Sequence, residues 1–229
     1  MGLNPVLVKV CGLTRPDQAE ACARAGADFI GLNFHPGSPR YVDPSLAAEI
    51  AAALPVGCQA VGLFVDRPVV DVERTAGRVG LAWVQLHGDE PPADVAALAR
   101  RRVVKAFRLR AVADVESLRH YMDEASRLRA DPQPWLVDSY SPGAHGGTGR
   151  VIETGLLDGL ASLPYPELIL AGGLTPENVA ERVARVRPWM VDVASGVESS
   201  PGVKDLDKVV AFVAAVRGAL PTRQGVVLD

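Results

Sequence analysis

Cysteine is scarce in this sequence: three residues in 229, widely spaced, with no Cys-x-x-Cys pair. That pattern excludes a disulfide framework or a zinc ribbon and suits a reducing compartment, so the cytoplasm is the expected location. Positive charge is not in excess either. A formal net charge of -3 and a pI near 5.8 give no basic field to attract nucleic acid or anionic lipid, and neither is expected as a partner. Residues 1–10 lack the charged and apolar regions of a signal peptide, and no apolar run approaches the roughly 18 residues of a membrane span. Secretion and membrane insertion are therefore not expected. The chain also lacks a Gly-x-x-x-x-Gly-Lys-Ser/Thr loop, a dinucleotide fingerprint and a Gly-x-Ser-x-Gly elbow. Its four histidines, His35, His87, His120 and His145, have no metal-ligand spacing. The reading that survives is a reaction without cofactor or metal, run by acidic and basic side chains on a small molecule.

What is present is a rhythm. Short β-branched runs alternate with longer Ala/Arg/Glu-rich stretches of helical period along the whole chain. Strands are expected at Leu7–Cys11, Phe29–Phe34, Ala60–Val65, Trp83–Leu86, Val103–Phe107, Trp135–Asp138, Leu168–Ala171 and Met190–Val193. Helices are expected at Pro16–Ala25, Ser45–Ala53, Val69–Arg78, Ala93–Arg101, Val115–Leu128, Gly155–Leu163, Pro176–Val186 and Leu206–Val216. Eight such units in this length predict an α/β fold, a closed (β/α)8 TIM barrel forming one domain over residues 1–229, better than an open doubly wound sheet. The Pro- and Gly-rich segments at 36–44 and 141–149 follow strands. They read as active-site loops on the face where such barrels place their chemistry.

Strand parity then sorts the side chains. Leu7, Lys9 and Cys11 share one face of the first strand, and the purely apolar face of Val8 and Val10 must meet helices. Lys9 and Cys11 therefore point inward, as do Leu136 and Asp138 of the sixth strand. Gln85 and His87, Asn33 and Asp192 are candidates for the same interior. Each has a blander alternative: a buried small hydrophobe for Cys11, a structural ion pair for Lys9, a salt bridge or cap for Asp138, a hydrogen-bonded loop residue for His87. The combination of a thiol and a carboxylate at the barrel mouth carries the argument. A cation at Lys9 would also favour the thiolate form of Cys11, whose ordinary pKa is about 8.5.

Glycine clusters follow three strands: Gly146–Gly149, Ala171–Gly173 and Ala194–Gly196. Glycine lets backbone N–H groups approach an anion, and the loops after strands 7 and 8 are the usual phosphate site of these barrels. A phosphorylated small-molecule substrate is the expected partner. Thr175 and Pro176 read as N-cap and first residue of a helix, without chemistry.

The segments VKVCGLTRPDQA at 8–19, GADFIGLNFHPGSPRYV at 26–42, VQLHGDE at 84–90, VDSYSPGAHGGTG at 137–149, ILAGGLTPENV at 169–179 and VDVASGVESSPGVKD at 191–205 resemble the phosphoribosylanthranilate isomerases, over nearly the whole chain. That resemblance implies a ribulose-phosphate-binding type of barrel. The implied reaction is a cofactor-free Amadori rearrangement, which converts a phosphoribosyl arylamine to a 1-deoxyribulose phosphate in tryptophan biosynthesis. It implies Asp138 as general acid on the furanose ring oxygen and Cys11 as general base at sugar carbon 2. It assigns Arg40 to the anthranilate carboxylate, a loop salt bridge being the alternative. His87 and the backbone at Gly147, Gly172, Gly173, Ser195 and Gly196 would hold the rest of the substrate and its phosphate. The chain departs from the family pattern at Arg150–Thr154, at Ala194 and at His145. A broader isomerase that also accepts the histidine-pathway substrate, and a noncatalytic phosphate-binding barrel, are the rival readings; Cys11 in place of an aspartate opposes the first, and retention of both Cys11 and Asp138 opposes the second. A monomer and a homodimer are both left open.

Overall fold

A computed structural model describes residues 5–109, 114–130, 134–138 and 167–219. Eight parallel strands form its centre: β1 (Leu7–Cys11), β2 (Phe29–Asn33), β3 (Gln59–Phe64), β4 (Trp83–Leu86), β5 (Arg102–Arg108), β6 (Trp135–Asp138), β7 (Leu168–Ala171) and β8 (Met190–Val193). They pair in sequence order, and β1 closes on β8 through Lys9↔Asp192 and Val10↔Val193. The expected closed barrel is the observed one, with strand ends differing from expectation by at most one residue.

Two apolar clusters confirm the parity. Phe29, Val61, Trp83, Val104, Leu136, Ile169 and Met190 fill the barrel interior. Val8, Val10, Ile30, Val84, Val137, Leu170 and Val191 belong to a separate cluster shared with the helices. The interior cluster closes the N-terminal end, where Phe29 meets Trp83 edge-on at 5.3 Å and Trp83 stacks on Trp189 at 6.4 Å. The opposite end is left to polar groups.

Seven helices are described: α1 (Pro16–Arg24), α2 (Pro44–Ala52), α3 (Val69–Val79), α4 (Pro92–Ala97), α5 (Asp114–Arg127), α6 (Val179–Val186) and α7 (Leu206–Gly218). Their starts follow local chemistry. The Asp43 carboxylate accepts from the N–H groups of Ser45 and Leu46 ahead of Pro44, and Asp205 accepts from the N–H of Lys208. Each such cap is worth about 1 kcal/mol.

Two helices are shorter than the sequence suggested. α4 stops at Ala97 rather than Arg101, because Arg101 donates to the Leu81 carbonyl and to Glu73 and so draws the chain toward β5. α6 begins at Val179, and Thr175 and Pro176 lie outside it. The Asn178 side chain accepts from the Thr175 N–H and donates to the Gly173 carbonyl, so residues 175–178 form a turn fastened to the loop after β7. The expected helix at 155–163 lies outside the described residues. An antiparallel hairpin, β9 (Glu198–Ser200) with β10 (Val203–Lys204), follows β8 and was not foreseen.

Candidate active site

Lys9, Gln85 and Asp192 occupy the middle of the barrel, above the aromatic floor, and all three are buried. The Lys9 ammonium donates to Gln85 Oε1 and to Asp192 Oδ2, each at 2.8 Å. Burial works against that charge, but Asp192 and Cys11 more than offset it and hold the Lys9 pKa above its ordinary value. Lys9 is thus a charged member of a buried ion pair.

One turn of the barrel wall higher, a cavity of about 310 Å³ opens at the C-terminal ends of the strands. Cys11 and Asp138 both line it, with Asn33, Arg40, His87 and Asp192 around them. Cys11 is seated by a missing side chain. Gly31 lies level with it on β2, and a Cβ there would stand 2.6 Å from the Cys11 sulfur and 2.9 Å from its Cα. Glycine is what lets the thiol face the cavity rather than be crowded away from it.

Lys9 pulls the thiol pKa down as expected, but it does not decide the net shift. Burial pushes the Cys11 pKa up, and this outweighs the downward pull of Lys9 and Lys204. The physical reason is that the Lys9 charge is already neutralised by Asp192 while the thiol is taken out of water. Cys22 is also buried, which lifts its thiol to about 11, and it lies on the helix-facing side in the outer core.

On the opposite wall, His87 Nε2 stands 3.7 Å from Asp138 Oδ2, both side chains about one-fifth exposed. The other carboxylate atom, Asp138 Oδ1, is buried with no partner among the described residues, and the same holds for Asp192 Oδ1. Burying an unpaired acceptor costs about 1–3 kcal/mol, so such atoms mark places where a partner is expected.

Arg40 forms the salt bridge considered for it. Its Nε and Nη2 donate to the two oxygens of Glu198 at 2.8 and 2.6 Å, and this pairing raises the Arg40 pKa further. Glu198 also accepts from Lys204 at 2.8 Å and from the Gly202 N–H at 3.2 Å. Burial alone would raise its pKa, but Arg40 and Lys204 together hold it below the usual carboxylate value. Lys204 in turn donates to the carbonyls of Cys11 and Ala194. The unforeseen hairpin thereby ties the loop after β2 to the ends of β1 and β8. Its signal in the sequence was the Pro201-Gly202 turn between two short charged segments.

The remaining wall is backbone. Gly172, Gly173, Ser195 and Gly196 line the cavity where the sequence placed a phosphate. Gly172 and Gly173 take φ values of +93° and +60°, a conformation that side-chain-bearing residues rarely adopt. Gly147 lies outside the described residues. Among the described residues, no group of three or more His, Cys, Asp and Glu could hold a metal ion, and no helix is long and apolar enough to cross a membrane.

A closed barrel whose cavity at the C-terminal strand ends joins a thiol, a carboxyl group, an arginine and two glycine-containing loops has the layout of a (β/α)8-barrel enzyme. The comparisons narrow the class. Residues 8–215 match the family described as N-(5'-phosphoribosyl)anthranilate (PRA) isomerase, and the chain belongs to that family. An N-(5'-phosphoribosyl)anthranilate isomerase of Geobacter sulfurreducens is 46% identical over 213 residues, covering 93% of this chain and 99% of the relative. The crystal structure of phosphoribosyl anthranilate isomerase from Thermotoga maritima superposes with a TM-score of 0.83 at 36% identity, covering 93% of this chain and 99% of that one. A crystal structure of a phosphoribosyl anthranilate isomerase in complex with reduced 1-(o-carboxyphenylamino)-1-deoxyribulose 5-phosphate has a TM-score of 0.78 at 34% identity over 93% and 99% of the two chains.

Proposed function

We propose that Cys11 and Asp138 are the base and the acid of the family's reaction. That reaction, an intramolecular aldose–ketose isomerisation in tryptophan biosynthesis, is the function of this chain. It takes N-(5-phosphoribosyl)anthranilate to 1-(2-carboxyphenylamino)-1-deoxyribulose 5-phosphate. The supporting observation is that Cys11 and Asp138 line one cavity, with Arg40 and the glycine loops around the same space.

Asp138 gives its proton to the furanose ring oxygen as the ring C–O bond breaks. The arylamine nitrogen lone pair moves in to form an iminium cation. Cys11 then takes the proton from sugar carbon 2, and the electron pair of that C–H bond flows toward the iminium nitrogen to give an enolamine, which tautomerises to the ketone. A base must be a thiolate to accept that proton. Burial opposes the thiolate, while Lys9 and Lys204 favour it, and the iminium adds a positive charge in the same cavity when it is needed. Substrate therefore helps to activate its own base.

Arg40 binds the anthranilate carboxylate. Glu198 holds two of its nitrogens, and among the described residues Nη1 has no hydrogen-bond partner, so the guanidinium is fixed in place by one carboxylate and presented to another. His87 contacts the substrate beside Asp138, and the backbone at Gly147, Gly172, Gly173, Ser195 and Gly196 receives the phosphate.

Anthranilate fluorescence tests the reading. Wild-type protein should change the fluorescence of freshly made phosphoribosylanthranilate. Cys11→Ser and Asp138→Asn should each lower kcat by about 10²–10⁴, the usual worth of a positioned acid or base, with product binding still measurable. An unchanged kcat in either variant removes that residue from its role.

A further inference from the structure

We propose that the buried Lys9–Gln85 pair fixes the tautomer of His87, so that its Nε2–H faces Asp138 and stabilises the carboxylate left when Asp138 gives up its proton. The inference rests on Asp138 being the acid.

The argument begins in the barrel floor and runs one way. An ammonium has three donors and no acceptor. Lys9 Nζ, 2.8 Å from the Gln85 side chain, must therefore meet the amide oxygen, and the amide orientation is not free. Gln85 Nε2 is then the atom that stands 2.8 Å from His87 Nδ1, and it can only donate. Nδ1 must accept, so in the neutral imidazole the proton sits on Nε2. That atom is the one 3.7 Å from Asp138 Oδ2. The distance exceeds a hydrogen bond by about 0.5 Å, a gap that catalytic contacts commonly close when substrate is bound.

Each link is enforced by the one beneath it. Lys9 is kept charged by Asp192 and Cys11, and Gln85 and Lys9 are both buried. A donor aimed at Asp138 contributes little while the group is a neutral acid and much more once it is a carboxylate. It therefore favours the ring-opening transition state over the bound substrate. The proton passes from Asp138 to the ring oxygen, and His87 keeps its own. Lys9 and Gln85 are positioning residues that act through His87.

Long-range ¹H–¹⁵N correlation of the His87 imidazole in the wild-type protein should show the neutral Nε2–H form. In Asp138→Asn the form should be the same, because it is imposed from the floor rather than by Asp138; a switch in that variant overturns the direction of the argument. Gln85→Glu changes one NH2 to oxygen, keeps an acceptor for Lys9 and turns the donor to His87 into an acceptor. It should move the proton to Nδ1 and lower kcat about 10–100-fold with KM within a few-fold, the loss expected of an interaction made in the transition state. His87→Gln, which can still present an N–H, should retain at least about tenfold more kcat than His87→Phe. A wild-type Nδ1–H form, a Gln85→Glu protein with unaltered kcat, or equal kcat in the two His87 variants would each sink the proposal. Full turnover in Asp138→Asn would instead remove the acid assignment and leave the tautomer result standing.

Discussion

Of the three buried lysine–carboxylate pairs among the described residues, Lys105–Glu90 and Lys9–Asp192 differ most plainly in how completely they are satisfied. Lys105 meets Glu90 at 2.9 Å, and its ammonium also donates to the carbonyls of Gly88 and Ala106. Glu90 accepts from the N–H groups of Asp66 and Gly88. Lys9 meets Asp192 at 2.8 Å, but Asp192 Oδ1 is left without a partner among the described residues and lines the cavity. The first pair is closed upon itself and holds the ends of β3, β4 and β5 together. The second is open on one atom, and that atom faces the space where substrate is proposed to sit. Charge and burial do not separate the two pairs; the count of spare acceptors does.

The largest expected effect breaks that comparison directly. Glu90→Ala leaves the Lys105 ammonium buried without its carboxylate and should cost about 3–5 kcal/mol of stability, read from denaturant midpoints. The kcat/KM of its folded fraction should stay within a few-fold of wild type. Asp192→Ala strands Lys9 in the same way and should lose similar stability. It should in addition lose kcat/KM by about 10–100-fold, the worth of a hydrogen bond to a charged group. If the two variants lose activity equally once corrected for folding, the distinction between a closed and an open pair has no functional content.

The barrel and the acid–thiol pair were legible because both rest on the simplest geometry available, the two-residue period of a strand. Once Val8 and Val10 are given to the helices, Lys9 and Cys11 must face inward, and once Val137 is given to them so must Asp138. The hairpin at 198–204 was not legible, because strands of three and two residues carry no periodicity. With it went Glu198 and Lys204, and so the restraint on Arg40. The start of α6 failed for a related reason: Thr175-Pro176 satisfies a capping pattern locally, but the bonds of Asn178 to Thr175 and Gly173 are tertiary choices. The sign of the Cys11 shift could not be read either, since it depends on burial measured against neighbours whose own partners were unknown.

A second, smaller test compares two glycines instead of two ion pairs. Gly31→Ala places a methyl group against the Cys11 sulfur and Cα. It should cost about 1–3 kcal/mol and lower kcat by displacing the thiol. Gly77 lies exposed within α3, where an added Cβ would meet only Arg101 Nη2 at 3.8 Å. Gly77→Ala should raise stability by about 0.5–1 kcal/mol and leave turnover unchanged. A Gly31→Ala protein with wild-type kcat would mean that Cys11 tolerates a different position and is not held to one.

The smallest effect concerns the open side of the molecule and is read from pH dependence. Burial is the largest influence on Cys11 and raises its pKa, Lys9 is the largest opposing one, and burial prevails. The rate of Cys11 alkylation by iodoacetamide, followed by peptide mass, should therefore still be climbing at pH values above about 8.5, the ordinary thiol pKa, where a thiolate stabilised by Lys9 would already have levelled off. The same shift has a stability consequence. A group whose folded pKa is raised contributes fully below its unfolded value and loses that contribution as pH rises through the folded one, so Cys11 should weaken the fold on the alkaline side only. Cys11→Ser lacks that titration and should lose less stability than wild type between pH 8 and pH 10. An alkylation profile flat above pH 8 would reverse the order of the two forces and would make Lys9, rather than the incoming cationic intermediate, the agent that prepares the base.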